Sequence, residues 1–227
     1  MNPLVIAIDS STTATKAIVV DTEGKVLALG RQDIDLLSPQ QGFGEHDPRQ
    51  WWTSTRDAVA QALAQLTPAE KERIAALGIT HQRESFAPFA VDGTPLRNGI
   101  LWLDIRAADQ VQRYGTPEIH ALSGRPADVT PGLYKMAWLK ENEPESLAKA
   151  DKVTTVSAYI AFCLTGQWVD SAACADSLSL SNIKTLDYDD GLLQIAGVRR
   201  EQMADLVKPG QTLGTLKKSV AEEWGIG

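Results

Sequence analysis

The sequence predicts an α/β domain, a mixed sheet flanked by helices, on three observations. Three strand-like apolar runs open the chain at residues 4–8, 17–20 and 26–34, separated by short polar turns. A helix signal follows at Asp47-Pro48-Arg49-Gln50, and further strands and helices then alternate to the end. With 227 residues, 43% of them hydrophobic and 22% charged, the chain can bury one large core or two small ones.

In chain order, the first run ends in Asp9-Ser10-Ser11-Thr12-Thr13, and Lys16 leads into the second, which closes at Asp21. That pattern fits a β-hairpin, and the Glu23-Gly24 turn leads to a third strand, giving an antiparallel start to a sheet. Asp47 then reads as an N-cap, with Pro48 at the first helical position and Gln50 three residues after the cap; Trp52, Thr55, Val59, Leu63 and Leu66 follow at helical spacing. Thr67-Pro68-Ala69-Glu70 repeats the signal and opens a short helix toward Ile74. Residues 75–80 read as a buried strand that delivers His81-Gln82-Arg83-Glu84-Ser85 to a loop. Residues 86–91 and 99–102 read as two strands joined across Asp92-Gly93-Thr94-Pro95.

The region 106–149 reads as short helices punctuated by Gly115-Thr116-Pro117, Gly124-Arg125-Pro126 and Thr130-Pro131-Gly132. A strand at 152–156 and a helix at 157–164, ended by Thr165-Gly166, come next. Residues 170–182 are rich in small side chains, which pack closely or contact a ligand. Helical pieces are expected at 190–196, 200–206 and 217–224, with a break at Pro209-Gly210. No internal repeat or low-complexity tract interrupts this order.

The opening hairpin carries chemistry as well as structure. Its turn exposes backbone N–H groups, its hydroxyls add donors, and Lys16 adds a mobile positive charge, all suited to a phosphate. Asp9, at the end of a buried strand, could hold a magnesium ion or its water shell opposite such a phosphate. The same residues also suit an edge hairpin with a solvated Ser/Thr turn, and taken alone they do not choose.

A net charge of -7 argues against broad binding of nucleic acid or anionic membrane, and favours small polar ligands. No run approaches the ~20 apolar residues of a membrane span, and the N-terminus lacks the pattern of a secretory signal, so the expected compartment is the cytoplasm. Cys163 and Cys174 form no CxxC or His/Cys cluster and read as reduced, structural thiols.

A second cluster lies at His81-Gln82-Arg83-Glu84. A guanidinium beside a carboxylate offers a donor and an acceptor to vicinal hydroxyls, each of which gives and takes a hydrogen bond. Trp102 would present an apolar face to carbon-bound hydrogens, and Asp104 and Arg106 add another charged pair nearby. Each residue also has a plainer reading: Arg83 and Glu84 as a solvated pair, Trp102 as core, Asp104 as an N-cap.

Asp9-Ser10-Ser11-Thr12 resembles the opening motif of the superfamily that includes sugar kinases, actin and Hsp70-type chaperones, with Ser11 where that pattern usually has glycine. Taken with Gly42-Phe43-Gly44-Glu45-His46-Asp47-Pro48, the following Trp51 and Trp52, Gln82-Arg83-Glu84 and Ile100-Leu101-Trp102, the chain resembles the first domain of the FGGY carbohydrate kinases over nearly its whole length. The resemblance implies a ribonuclease H-like fold and transfer of the γ-phosphoryl group of ATP, with magnesium, to a hydroxyl of a sugar or polyol. It implies substrate contacts at Arg83, Glu84 and Trp102, with Gln82 and Asp104 beside them. It places the ATP phosphates and magnesium at Asp9, Ser11, Thr12, Thr13 and Lys16, and makes the Glu45-to-Pro48 segment structural.

Gln82-Arg83-Glu84 resembles glycerol kinases, whereas Trp102, Asp104 and Arg106 look more like xylulokinase and its relatives. The aromatic substrate contact of glycerol kinases falls on Thr130, which makes room for a longer substrate, so the expectation is a ketopentose such as xylulose, with glycerol as the alternative. The resemblance further implies that 1–227 is a first, substrate-binding domain whose partner is its own C-terminal, nucleotide-binding domain. The general base is then expected beyond Gly227, since Asp170, Asp176 and Asp187 lack the Gly-rich strand-end context, and the isolated chain is expected to be inactive. A non-catalytic sugar-binding or assembly module is the competing class, and oligomerisation is left open.

Overall fold

Alternating burial makes the first apolar run a strand with one covered face. In β1 (Leu4–Ser10), Leu4, Ile6 and Ile8 are buried while Val5, Ala7 and Asp9 are not. The computed structural model describes residues 2–227. After β1 come β2 (Ala14–Asp21), β3 (Val26–Asp33), β4 (Glu45–His46), α1 (Arg49–Leu63), α2 (Pro68–Lys71), β5 (Ile74–His81), β6 (Phe86–Phe89) and β7 (Gly99–Ile100). The helical stretch holds α3 (Ala108–Tyr114), α4 (Pro117–Ser123), α5 (Gly132–Asn142) and α6 (Pro144–Ala148), followed by β8 (Lys152–Thr155) and α7 (Val156–Thr165). The last part contains β9 (Val169–Ser171), α8 (Ala172–Ala175), β10 (Ser181–Asn182), β11 (Asp187–Tyr188), α9 (Asp190–Ala196), β12 (Asp205–Val207) and α10 (Lys218–Trp224).

The main sheet has the order β3-β2-β1-β5, antiparallel across the first three strands and parallel between β1 and β5. A parallel neighbour needs a crossover, and α1 supplies it, lying over β2 and β3. A second four-stranded sheet, β4-β7-β6-β8, is antiparallel. Two buried clusters follow from this division. One gathers Ile6, Ile8, Trp51, Phe89, Tyr159 and Trp224 between the main sheet and its helices; the other gathers Phe86, Ile100, Leu133, Met136, Leu178 and Leu192.

Several local expectations hold in detail. Thr67 and Glu70 form a reciprocal capping box on α2, and Thr155 caps α7, which ends on Gly166 in the left-handed conformation. Others change. Asp47 does accept from the Arg49 N–H at 3.0 Å, but Gln50 closes no capping box; its amide instead binds Asp35, with Nε2 to Oδ2 at 2.9 Å. Residues 200–206 are not a helix: a 3₁₀ turn at Arg200–Gln202 gives way to β12, which pairs in parallel with β9. There the ladder satisfies backbone groups that a frayed helix end would leave open. Among the described residues, no helix is long and apolar enough to cross a membrane.

Gly30 sets how closely β3 and α1 approach. A Cβ there would stand 1.9 Å from the Ala58 carbonyl oxygen, whereas one at Gly78 on β5 meets nothing within 4 Å. Gly30→Ala should therefore lower stability in urea unfolding by about 1–3 kcal/mol or more, while Gly78→Ala should change it by under about 1 kcal/mol. Equal effects at the two positions would contradict the close helix–sheet contact.

Candidate functional site

The turn between β1 and β2 is closed by Ser11, whose N–H and Oγ both donate to the Ala14 carbonyl, at 3.0 and 2.7 Å. The Ser11 hydroxyl is thus committed to the turn. The N–H groups of Thr12 and Thr13 have no protein acceptor among the described residues, and Thr13 is exposed. Asp9 and Lys16 are cross-strand partners on the face of the sheet away from α1, with Asp9 partly and Lys16 fully accessible. A carboxylate, a lysine and outward backbone donors at one turn fit a phosphate with a divalent ion.

Beneath the turn, His46 Nδ1 accepts from Trp51 Nε1 at 3.0 Å, and Gln82 Nε2 lies 3.3 Å from it. Gln82 Nε2 also reaches the Ser11 carbonyl at 3.4 Å, and Gln82 Oε1 accepts from Ser85 Oγ at 2.9 Å. Gln82 is buried and braces the turn from below. Arg83 is exposed and Glu84 half-buried on the loop after β5. Arg83 Nη2 meets Asp176 Oδ1 at 2.5 Å, and Glu84 Oε1 accepts from Arg125 Nη1 at 2.9 Å. Glu84 has a φ of 63°, unusual for a side chain with a Cβ; the Ser177 hydroxyl, accepting from the Glu84 N–H at 3.1 Å, helps to hold it there.

Trp102 joins the two clusters. Its indole Nε1 donates to Thr12 Oγ1 at 2.9 Å, and its backbone N–H donates to Ser85 Oγ at 3.1 Å. The ring is 41% exposed, so it forms a wall and is not core. Asp104 lies under this loop and not in its wall. It is fully buried, with Oδ2 accepting from Gly44 N and Arg106 Nη2, both at 2.7 Å, and Oδ1 accepting from Arg106 N and Nε, both at 2.9 Å. A carboxylate committed in this way has no oxygen left for a substrate hydroxyl; it holds the loop. Arg106 in turn binds Glu45 at 2.6 Å and stacks on Phe43, and Arg97 binds Glu45 at 3.0 Å. Burial would raise the Glu45 carboxyl, but Arg106 and Arg97 outweigh it and hold Glu45 below its ordinary value.

An open cavity of about 440 Å³ adjoins the Arg83 and Glu84 ion pairs, lined by Ser123, Arg125, Asp128, Thr130 and Asp176 among others. No local pattern in the sequence links Arg125 to Glu84 or Asp176 to Arg83. Arg125 sits in what reads as helix punctuation, and Asp176 in a small-residue stretch that reads only as close packing or ligand contact. Lys135 belongs to none of the motifs read from the sequence, although a lysine among Leu133, Tyr134 and Met136 is a visible anomaly; it is buried, and its Nζ lies 2.8 to 3.0 Å from three carbonyl oxygens. Asp170 is buried too, accepting from Thr155 Oγ1 at 2.6 Å and Ser157 Oγ at 2.5 Å.

These buried groups set the response to acid. Burial pushes His46 and His81 down to about 4, so both imidazoles are neutral near pH 7. Unfolded histidines titrate near 6.5, so the unfolded chain binds protons that the folded chain refuses between that pH and about 4. Stability therefore falls on acidification through this window, by up to about 1.4 kcal/mol per pH unit for each histidine. Asp170 acts oppositely: burial pushes its carboxyl from 3.8 to about 6, so it stays protonated in the fold and loses stability as pH rises between those values. Urea unfolding should show a net loss of stability from about pH 6.5 to about pH 4, and Asp170→Asn should steepen it. A shallower slope in that variant would contradict the assignment.

Comparison with known proteins accords with this geometry. Residues 4–227 match the model of the N-terminal domain of the FGGY family of carbohydrate kinases. Glycerol kinase from Thermococcus gammatolerans is 33% identical over 228 residues, covering 97% of this chain and 46% of that protein. Gluconate kinase from Lactobacillus acidophilus superposes with a TM-score of 0.92 at 28% identity, covering 100% of this chain and 46% of the other. The ligand-bound xylulose kinase of the same organism also gives 0.92 at 28% identity, covering 99% and 46%. The fold is thus the ribonuclease H-like type of the sugar kinases, and the chain spans about half the length of the relatives it matches. By its sequence along residues 4–227 and by its fold, this chain belongs to the FGGY family of carbohydrate kinases.

Proposed function

We propose that this chain is the acceptor-holding part of an ATP-dependent kinase that phosphorylates a hydroxyl of a sugar or polyol. The observation that carries the reading is the 2.9 Å hydrogen bond from Trp102 to Thr12, which sets the donors of the hairpin turn beside the loop bearing Arg83 and Glu84. In this reading the N–H groups of Thr12 and Thr13, with Lys16, take nucleotide phosphates, and Asp9 holds magnesium or its water shell. Magnesium, when bound, neutralises charge on the phosphate oxygens. Arg83 and Glu84 donate to and accept from vicinal hydroxyls, and Trp102 covers the carbon-bound hydrogens.

The proton acceptor for the attacking hydroxyl is assigned to a second domain, together with the adenine pocket. Candidate carboxylates within this chain are occupied: Asp170 by Thr155 and Ser157, Asp176 by Arg83, and Asp187 by Arg200. The greater length of the relatives supports that division of labour. The purified 227-residue chain should therefore release no ADP in response to sugar; turnover at an ordinary kinase rate, about 1–100 per second, would overturn the division.

For the acceptor itself, the small Thr130 side chain on the wall of the cavity favours a ketopentose such as xylulose, because it leaves length for further hydroxyls. Glycerol is the second reading, favoured by the 33%-identical glycerol kinase. A thermal-shift series with xylulose, ribulose, glycerol and gluconate separates them, since a ligand stabilises the state it binds. The ketoses should raise Tm more than glycerol does. A rise with glycerol alone would establish the second reading, and no rise with any of the four would remove the acceptor-holding role.

A further inference from the structure

Lys135, near the start of α5, is fully buried and lies in ion-pair range of no carboxylate among the described residues. Its Nζ donates to the carbonyls of Leu101 at 2.8 Å, Trp102 at 3.0 Å and Thr130 at 2.8 Å. An ammonium group has three N–H donors and no acceptor, so these three oxygens saturate it. Two of them belong to the loop that carries Trp102, and the third to the turn that places Thr130 on the cavity wall. Leu101 O has another donor, the Asp104 N–H at 3.1 Å. A methionine of similar length would fill the space without burying a charge, but it would leave the Trp102 and Thr130 carbonyls without this donor.

We propose that Lys135 is a positioning residue for the acceptor site: its ammonium clamps the Trp102 loop to the Thr130 turn and so fixes the gap into which the polyol fits. The inference rests on the acceptor-holding reading for its link to substrate, but the clamp itself is a property of this chain alone. It also makes the gap sensitive to protonation, because a neutral amine keeps only two donors and turns a lone pair toward the carbonyl oxygens. Burial pushes Lys135 down to about 7, against the opposing charges of Asp104, Glu84 and Asp128, while Arg106 adds to the lowering. His46 and His81 are already neutral in that range.

Trp102 reports on the clamp directly. It is 41% exposed, whereas Trp51 and Trp224 are 0% and 3% exposed, and subtracting the signal of a Trp102→Phe chain removes the other five indoles. Acrylamide quenching of Trp102 in the wild-type chain should rise through a single transition as pH is raised from about 6 to about 9. Lys135→Met should show the raised level at every pH, with no transition, and a polyol that binds the wild-type chain should bind this variant about tenfold more weakly. The wild-type titration does not depend on whether Lys135→Met folds. Flat quenching of Trp102 across the range, a transition that persists in Lys135→Met, or unchanged polyol affinity in that variant would each overturn the proposal. If no polyol binds the wild-type chain while the Lys135-dependent transition is present, the acceptor reading fails and the clamp on Trp102 stands.

Discussion

The hydrogen bond from the Trp102 indole to the Thr12 hydroxyl spans 90 residues of sequence and joins two polar clusters. It forms only if two loops are held independently. On one side, Ser11 closes the hairpin turn while Gln82 and His46 brace it from below. On the other, Asp104, Arg106 and Glu45 lock the segment after β7, Ser85 takes the Trp102 N–H, and Lys135 binds the carbonyls of Leu101 and Trp102. Neither loop lies within a strand or helix at the contact, so the precision comes from side chains bonded to backbone groups.

Such a scaffold is costly in one sense and specific in another. Burying Asp104, Arg106 and Glu45 forfeits their hydration, and well-packed apolar residues could replace them with little loss of stability. Removing one member alone would leave an uncompensated buried charge. What the network supplies is geometry, since each carboxylate oxygen of Asp104 meets more than one donor and the loop has few alternatives. Glu84 shows the same logic on a smaller scale: its left-handed backbone is unfavourable by itself, and Ser177 and Arg125 hold it there, with its carboxylate bonded to an arginine of the cavity wall.

The parts of this architecture that were legible in the sequence are those with local signals. The hairpin, the long helix after Pro48, the capping box at Thr67 and the helix ending at Gly166 follow from apolar spacing and from residue types at fixed offsets. The second sheet was not legible as a sheet, because β4 and β7 are two residues long and carry no periodicity. Residues 205–206 read as helix for a similar reason, since the pairing of β12 with β9 is a tertiary fact that leaves no local signal. At the site, Arg83, Glu84, Trp102 and Thr12 could be picked out by chemistry, but their partners could not. Asp176 lies 93 residues from Arg83, and Arg125 lies 41 from Glu84, so no local pattern links them. Asp104 illustrates the converse, a residue whose type suggests binding and whose burial makes it a support.

The claim on which the rest turns is that the hairpin turn and the Trp102 loop meet, and a double-mutant cycle between Thr12 and Trp102 tests it most directly. Thr12→Val and Trp102→Phe each remove one partner of the bond while keeping most of the shape. Urea unfolding of the two single variants and the double variant should give a coupling energy of about 0.5–1.5 kcal/mol, as expected for one hydrogen bond between partly exposed groups. Additive effects, with coupling indistinguishable from zero, would mean that the two loops do not meet and that the two polar clusters do not act as a unit.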